Sequence, residues 1–284
     1  MSNRWQRRAE VTVGPAEGFT FASHDDQGSP LFRFSFEVQK TSTREPNTAS
    51  VDIYNLRSDT RDRVQSLDNV FQLRAGYEGR MPIVATGDVS TYRIEREPPD
   101  VRVHLEAGDG LRALRDKRAR LSYTAGTSVQ DVYRDVVEQL GIRESVPLVF
   151  SGQFRAGFAF EGRASDALDE VLQSAGKEWS VQQGELVVSD QDQPVGTRPV
   201  AVVSPETGLL ESPYRLGELN ALGWEYEGWR VRMLMEPTIE PGSIVQIESR
   251  DISNGLYYVR TVTHSGDTYG DDWTTEMEVI EYAS

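Results

Sequence analysis

The stretch from Met233 to Val279, MLMEPTIEPGSIVQIESRDISNGLYYVRTVTHSGDTYGDDWTTEMEV, constrains the fold more than any other part of the chain. Its apolar residues alternate with polar ones, and its breaks are turn dipeptides, so it reads as a β-meander. Pro241-Gly242 fits a type II turn, because proline pre-sets the first central position and glycine accepts φ > 0 at the second. Val245 and Ile247 alternate with Gln246 and Glu248, the period of a half-buried strand. Asn254-Gly255 is a strong hairpin dipeptide, since both central residues of a type I′ turn need φ > 0. Leu256 to Thr263 and Trp273 to Tyr282 supply the next β-branched and aromatic runs, with a Gly- and Asp-rich tip between them.

The first hundred residues follow the same rule. Phe32, Phe34, Phe36 and Val38 fall on one face of a strand, with Arg33, Ser35, Glu37 and Gln39 on the other. Ala49, Val51 and Ile53 repeat the pattern. Ser58 is expected to cap a short helix carrying Val64 and Leu67. Residues 71–77, 83–86, 90–97 and 101–106 are further strand runs, broken by Glu78-Gly79-Arg80 and Pro98-Pro99. Short strands at this spacing argue for a barrel or sandwich.

After Ala107-Gly108-Asp109-Gly110 the period changes. Thr127-Ser128-Val129-Gln130 is expected to form a capping box, Thr127 accepting from Gln130. Val129, Val132, Tyr133, Val136, Val137 and Leu140 then mark one helix face, ended by Gly141. Ala164, Ala167, Leu168, Val171, Leu172 and Ala175 mark a second, ended by Gly176. Strand-like runs follow at Val146 to Phe150 and at Trp179 to Val188, with a turn at Gln183-Gly184. Trp224, Tyr226 and Trp229 lead back into the β-meander, as core, interface or sugar-stacking aromatics.

The chain has 284 residues, which favours two or three domains. It has no run long and apolar enough for a spanning helix, and its start lacks the apolar stretch of a signal peptide, so no membrane anchor is expected. With no cysteine, a disulfide framework and a thiolate metal site are excluded. The net charge is −15 and uneven. Residues 1–120 carry 19 Lys and Arg against 18 Asp and Glu; residues 121–284 carry 11 against 27. Tight non-specific binding to nucleic acid needs cations to replace phosphate counterions, and the second part has the opposite sign.

Two groups of cations stand out as candidate interfaces. Arg112, Arg115, Arg118 and Arg120, with Lys117, are opposed only by Asp116 in the sequence. They read as a solvated helix and linker, or as a contact with an acidic neighbouring surface. Near the start, Arg4, Arg7 and Arg8 flank Trp5, the residue types enriched in binding hot spots. For catalysis the sequence offers no constellation above background. His264 with Asp267, Asp271 and Asp272 is the densest group of possible metal ligands, but no second histidine lies at ligand spacing. There is no nucleophile elbow and no phosphate loop. No metal or other cofactor is expected.

Several segments in order carry a resemblance: NTASVDIYNLRSDTR (47–61), LRAGYEGRMPIVATGDV (73–89), LEAGDG (105–110), YTAGTSVQDVYRDVVEQLGI (123–142), SPETGLLESPYR (204–215) and the meander. Together they resemble the baseplate hub proteins of tailed bacteriophages, the Mu-like hubs akin to the phage late control D family. The resemblance implies a mainly β chain with an α/β insert: two tail-tube-like β-barrel regions, 1–110 and 197–284, flanking a small helix-containing domain, 111–196. It also implies a non-enzymatic homotrimer in the virion tail, assembled in the host cytoplasm. Its partners would be the tail tube protein, the central spike protein, the tape measure protein and other baseplate proteins, with genomic DNA passing through the lumen without specific binding. Part of the acidic excess is then expected to face that lumen. A cell-wall-degrading tail enzyme and a carbohydrate-binding tail module are the competing classes.

Overall fold

In the computed structural model, residues 6–14, 18–65, 70–190, 193–194, 199–220 and 223–282 are described, without side chains at 218–220 and 223–227. Seven strands come first: β1 (Arg7–Gly14), β2 (Phe19–Ala22), β3 (Phe34–Thr41), β4 (Thr48–Tyr54), β5 (Val70–Tyr77), β6 (Ile83–Glu97) and β7 (Asp100–Gly108), with helix α1 (Ser58–Val64) after β4. The middle of the chain holds α2 (Leu111–Asp116), β8 (Arg118–Tyr123), β9 (Thr127–Ser128), α3 (Val129–Leu140), β10 (Arg143–Glu144), β11 (Gln153–Phe154), β12 (Phe158–Arg163), α4 (Ala164–Ser174), β13 (Lys177–Gln182) and β14 (Glu185–Asp190). Six strands close it: β15 (Pro199–Val203), β16 (Tyr214–Asn220), β17 (Gly223–Leu234), β18 (Ile244–Ile247), β19 (Gly255–Asp267) and β20 (Trp273–Glu281). The chain is mainly β with an α/β insert.

Two compact units result. The first takes Met1–Thr41, Asn47–Gly108 and Pro194–Ser284; the second takes Ser42–Pro46 and Asp109–Gln193.

In the first unit the described strands form one thirteen-stranded sheet, ordered β16-β17-β20-β19-β3-β4-β7-β6-β5-β1-β2, with β18 beside β19 and β15 parallel to β18. Two strands change partner along their length. β6 pairs with β5 through Asp88 and with β7 from Asp88 onward, with a register shift near Ser90. The sequence suggests two separate runs there, because a bulge breaks alternation without ending a strand. β19 pairs with β18 from Gly255 to Tyr258, then with β3 from Thr261 to Asp267. That second pairing joins the N-terminal and C-terminal β regions.

Each region has its own core. Phe34, Phe36 and Val38 of β3 pack with Val11, Val51, Leu73, Leu105 and same-face residues of the other early strands. One cluster fed by seven neighbouring strands requires the sheet to curl around it. Val231, Val245, Tyr257, Val259 and Met277 build the second cluster. Met235 and Trp273 cross over, belonging by sequence to the C-terminal region and by packing to the first core. At the join, Gly266 stands opposite Phe36 on one side and Trp273 on the other. Those rings meet edge-to-face at 5.5 Å. A Cβ on Gly266 would sit 2.4 Å from Phe36 Cζ and 2.8 Å from Trp273 Cζ3. Gly266→Ala is therefore expected to lower stability by roughly 1–3 kcal/mol through overpacking, read as an earlier urea midpoint at unchanged slope. An unaltered midpoint would mean the aromatic pair has slack.

In the second unit α3 and α4 bury Val132, Tyr133, Val136, Leu140, Ala167, Leu168, Val171 and Leu172 against Trp179, Val181 and Leu186 of the β13–β14 hairpin.

Several local expectations need correction. The α3 cap is Ser128, whose Oγ accepts from the Asp131 N–H at 3.1 Å; Gln130 instead accepts from Phe150 N–H. The helix thus begins one residue later than the capping box implies. α1 starts on Arg57 as its cap, with Ser58 already helical and no side-chain cap bond; Leu67 lies outside the described residues. Val146 to Phe150 forms no strand, and Val149 is 92 % exposed. Asn254-Gly255 makes no type I′ turn: neither residue has positive φ, and β18 and β19 are joined by residues 248–254. Asn254 instead accepts the Ser249 N–H at 3.0 Å through its side chain, an Asx-type use of the same residue. The I′ conformation occurs at Gln183-Gly184, with φ of 53° and 82°, between Gln182 and its partner Glu185. Gly242, at φ 86°, follows Pro241 in a turn closed by Ser243 N–H to Glu240 O at 3.1 Å.

Candidate functional site

The four arginines of the basic run do not share one surface role. α2 holds Arg112 in its first turn and Arg115 in its last. Arg115 grips Asp116 through two bonds of 2.7 and 2.8 Å, holding that carboxyl below the usual carboxylate range. On β8, Arg120 lies 3.9 Å from Glu161, whereas Arg118 stands directly opposite Arg163 on β12. Like charges facing across a strand pair are unfavourable, and here carboxylates of the chain offset them, Asp166 lying 3.6 Å from Arg163.

Arg115 and Arg163 converge with Arg44, from residues 42–46, on the rim of a half-open cleft of about 390 Å³ in the second unit. Its apolar lining comes from Pro46, Leu111, Leu114 and Trp179, and Glu45 and Asp166 add acid to the rim. Asp169, one turn along α4, organises one side. It accepts from Trp179 Nε1 at 3.2 Å and from Arg44 at 2.7 Å. Arg163 is held more loosely, 3.6 Å from Asp166. The Arg163–Asp166 pair is exposed on both sides, and such pairs are worth about 0–1 kcal/mol. Arg44 and Arg163 were not singled out by sequence, because each is an isolated cation far from the run. Only the fold brings them together.

At the start of the chain, Arg4 and Trp5 lie outside the described residues. Arg7 is engaged within the chain: its guanidinium donates to the Gly270 and Asp271 carbonyls at the β19–β20 tip and lies 5.7 Å from the Trp273 ring centre. Arg8 pairs with Glu78 at 3.3 Å. Trp224 and Tyr226 lie on β17, with side chains outside the description.

His264 is fully buried and is not grouped with the tip aspartates. Its Nδ1 lies 2.9 Å from Thr275 Oγ1, which accepts from Glu236 N–H. Burial, and the positive charge of Lys40, push its pKa down to about 3, while the Ile239 backbone pulls weakly the other way. Lys40, on the inner face of β3, donates to both oxygens of Glu240 at 2.7 Å. Glu236 accepts from Thr238 at 2.7 Å and faces Arg80, from the β5–β6 turn, at 3.2 Å. The segment 235–243 is thus pinned by cations from two early parts of the sheet, a buried polar seam that the alternation rule did not reveal. Among the described residues no group of three His, Asp or Glu is placed to hold a metal. No described helix is long and apolar enough to cross a membrane.

No protein-family model matches the sequence, and no curated protein matches it. Solved structures do. A tail protein from Neisseria meningitidis MC58 superposes with a TM-score of 0.66 at 12 % identity, covering 96 % of each chain. The 43 kDa tail protein of prophage MuSo2 from Shewanella oneidensis gives 0.68 at 9 % identity, again covering 96 % of each. The fold is that of phage tail proteins. A third match is the E. coli c3393 protein, a type VI secretion system component described as structurally similar to T4 bacteriophage tail proteins gp27 and gp5. It gives 0.62 at 9 % identity over 96 % of this chain and 77 % of that one. The likeness of fold therefore extends over nearly the whole chain.

Proposed function

We propose that this chain is a structural hub of a phage or phage-tail-like baseplate, working as a homotrimer. The observation that carries the reading is one continuous sheet with two separate cores, one on each side of the β3–β19 pairing. Two tube-like barrels per chain, in regions 1–110 and 197–284, give three chains six similar surfaces. Such a trimer meets a hexameric tail tube on one side and a trimeric central spike on the other. The role is assembly, without catalysis, in the virion tail. The insert of residues 111–196 reaches neighbouring proteins through its arginines, among them other baseplate proteins and the tape measure protein.

A lumen formed by such a ring passes genomic DNA. Asp and Glu on its wall repel phosphates over about 8 Å at physiological salt, whereas Lys and Arg would hold them by counterion release. Part of the C-terminal acidic excess therefore faces the channel. Co-expression with tube and spike proteins, followed by electron cryomicroscopy, tests the reading. A ring of three chains presenting six barrel surfaces around an acidic channel is expected. A single copy per particle would overturn the hub role, and a basic channel would overturn the lumen argument.

A further inference from the structure

We propose that Asn254-Gly255 is a site of spontaneous deamidation, a modification that adds a carboxylate to the loop between β18 and β19 and, in one of its two products, opens that loop.

The chemistry is intramolecular. The Gly255 main-chain nitrogen gives its proton to water and bonds to Asn254 Cγ. The side-chain nitrogen leaves that carbon as ammonia, taking up a proton from water, and a cyclic imide remains. Water then opens the imide at either carbonyl. One opening gives aspartate in the ordinary main chain. The other gives isoaspartate, whose main chain runs through the former side-chain carbon and is longer by a methylene. Water is the sole co-reactant.

Asparagine is among the thermolabile residues, and its successor decides how readily it cyclises, because a side chain there hinders the attacking nitrogen. Of the six asparagines, Asn254 alone precedes glycine; the others precede Arg4, Thr48, Leu56, Val70 and Ala221. The position is also open. Asn254 is exposed, and nothing lies within 4 Å of where a Cβ on Gly255 would sit. Two restraints oppose the attack: the 3.0 Å bond from Ser249 N–H to the Asn254 side chain, and the pairing of Gly255 with Ile247. Gly255 is the first residue of β19, so that pairing is the end rung of its ladder. End rungs open at low cost, so the fold slows the reaction without preventing it. Asn55 is the contrast. It is also exposed, but its amide is tied at both ends, donating to Asp100 at 2.8 Å and accepting from Val101 N–H at 3.0 Å.

The two products differ at Ser249. Aspartate keeps an oxygen where the amide oxygen was, and the bond from Ser249 N–H becomes charge-assisted. Isoaspartate carries its carboxylate on a displaced main chain, so the bond to Ser249 and the end rung are lost together. Either product adds negative charge to a groove already lined by Glu206, Glu211, Glu248 and Asp251, with Arg250 as its cation.

The test incubates the folded full-length chain at mildly alkaline pH. Trypsin then releases DISNGLYYVR (251–260), which carries the site, and EPNTASVDIYNLR (45–57), which carries Asn47 and Asn55 as internal controls. The mass gain of amide-to-carboxyl conversion is expected in the first peptide well before the second. In the folded chain it should accumulate about tenfold more slowly than in urea, as for an end rung that opens locally. Gly255→Ala, which has room for its methyl group, is expected to suppress it. Circular dichroism checks that each variant folds. Hydrogen exchange at the Ser249 amide separates the products. Asn254→Asp should match wild type there, whereas the isoaspartate fraction, isolated by chromatography, should exchange faster, as should Asn254→Ala.

Conversion in urea with none in the folded chain would overturn the proposal, since the fold would then protect the site. Equal gain in both peptides, or gain undiminished by Gly255→Ala, would overturn the role of Gly255. An isoaspartate fraction that protects Ser249 as well as Asn254→Asp does would overturn the opening of the loop. The reaction needs no partner, so none of these outcomes bears on the hub reading.

Discussion

Replacing Lys40 by alanine is expected to destabilise the protein by about 3 kcal/mol, the cost of leaving one partner of a buried ion pair unmatched. Lys40 is 4 % exposed and bonds both oxygens of Glu240 at 2.7 Å. Without it, the Glu240 carboxylate keeps its desolvation penalty and loses its main compensation. The double variant Lys40→Met/Glu240→Leu is expected to regain most of the loss, because apolar replacement of such a pair is often neutral or stabilising. Urea unfolding of wild type, both singles and the double gives the coupling directly. If the single variants unfold like wild type, the pair contributes nothing to the seam.

Acid is expected to act mainly through His264. Its folded pKa is about 3 against 6.5 for the free side chain. The unfolded chain therefore binds a proton at this site in a window where the folded chain does not. Stability from this group is complete above pH 6.5 and falls as pH drops, levelling below about 3. Each pH unit within the window is worth about 1.4 kcal/mol, so roughly 3 kcal/mol should vanish between pH 6.5 and 4. His24, also shifted downward by burial, adds to the loss with the same sign. Carboxylates held low by partners, such as Asp267, act at more acid pH. His264→Gln keeps a hydrogen-bonding group toward Thr275 and is expected to flatten the slope between pH 6.5 and 4, whatever its stability at pH 7.5. Parallel slopes for wild type and variant would mean the acid sensitivity lies elsewhere. Lys40→Met offers a cross-check: removing the neighbouring cation should ease protonation of His264 and shallow the same slope.

What was legible in the sequence was local periodicity. Phe34, Phe36 and Val38 announce their face because a strand repeats every two residues, and both long helices announce theirs by the helical repeat. Chain-order resemblance supplied the rest of the fold class, an outcome matched by the tail-protein fold. Position-specific chemistry was less legible. Asn254-Gly255 carries the composition of a hairpin turn, but the loop of residues 248–254 is long enough to spend Asn254 as a side-chain cap. Gln183, an unremarkable turn residue by composition, takes φ of 53° because the tight β13–β14 register demands it. Lys40 continues the Phe34–Val38 face and would be placed among apolar residues by pattern. Its partner is 200 residues away, where no local rule can find it. The arginine cleft is half hidden for the same reason: Arg115 belongs to the basic run that the sequence singles out, but Arg44 and Arg163 are isolated cations until three segments meet.

The β3–β19 pairing also sets when the sheet can be finished. During synthesis β3 is made early, and Thr41 must wait for Thr261 to leave the ribosome before its free edge is paired. At about 5–20 residues per second that interval lasts on the order of ten to forty seconds. Through it, the nascent chain carries Phe34, Phe36 and Val38 on a strand with one unpaired side, the kind of edge on which chains associate wrongly. The intervening α/β unit, whose helices and hairpin contacts are nearer in sequence, has the shorter loops to close and so the faster route to a folded state. The order of folding is then insert before sheet, with the last strands acting as the closing step. A ribosome stalled before residue 255 would hold a folded middle and an N-terminal β region with an unpaired edge.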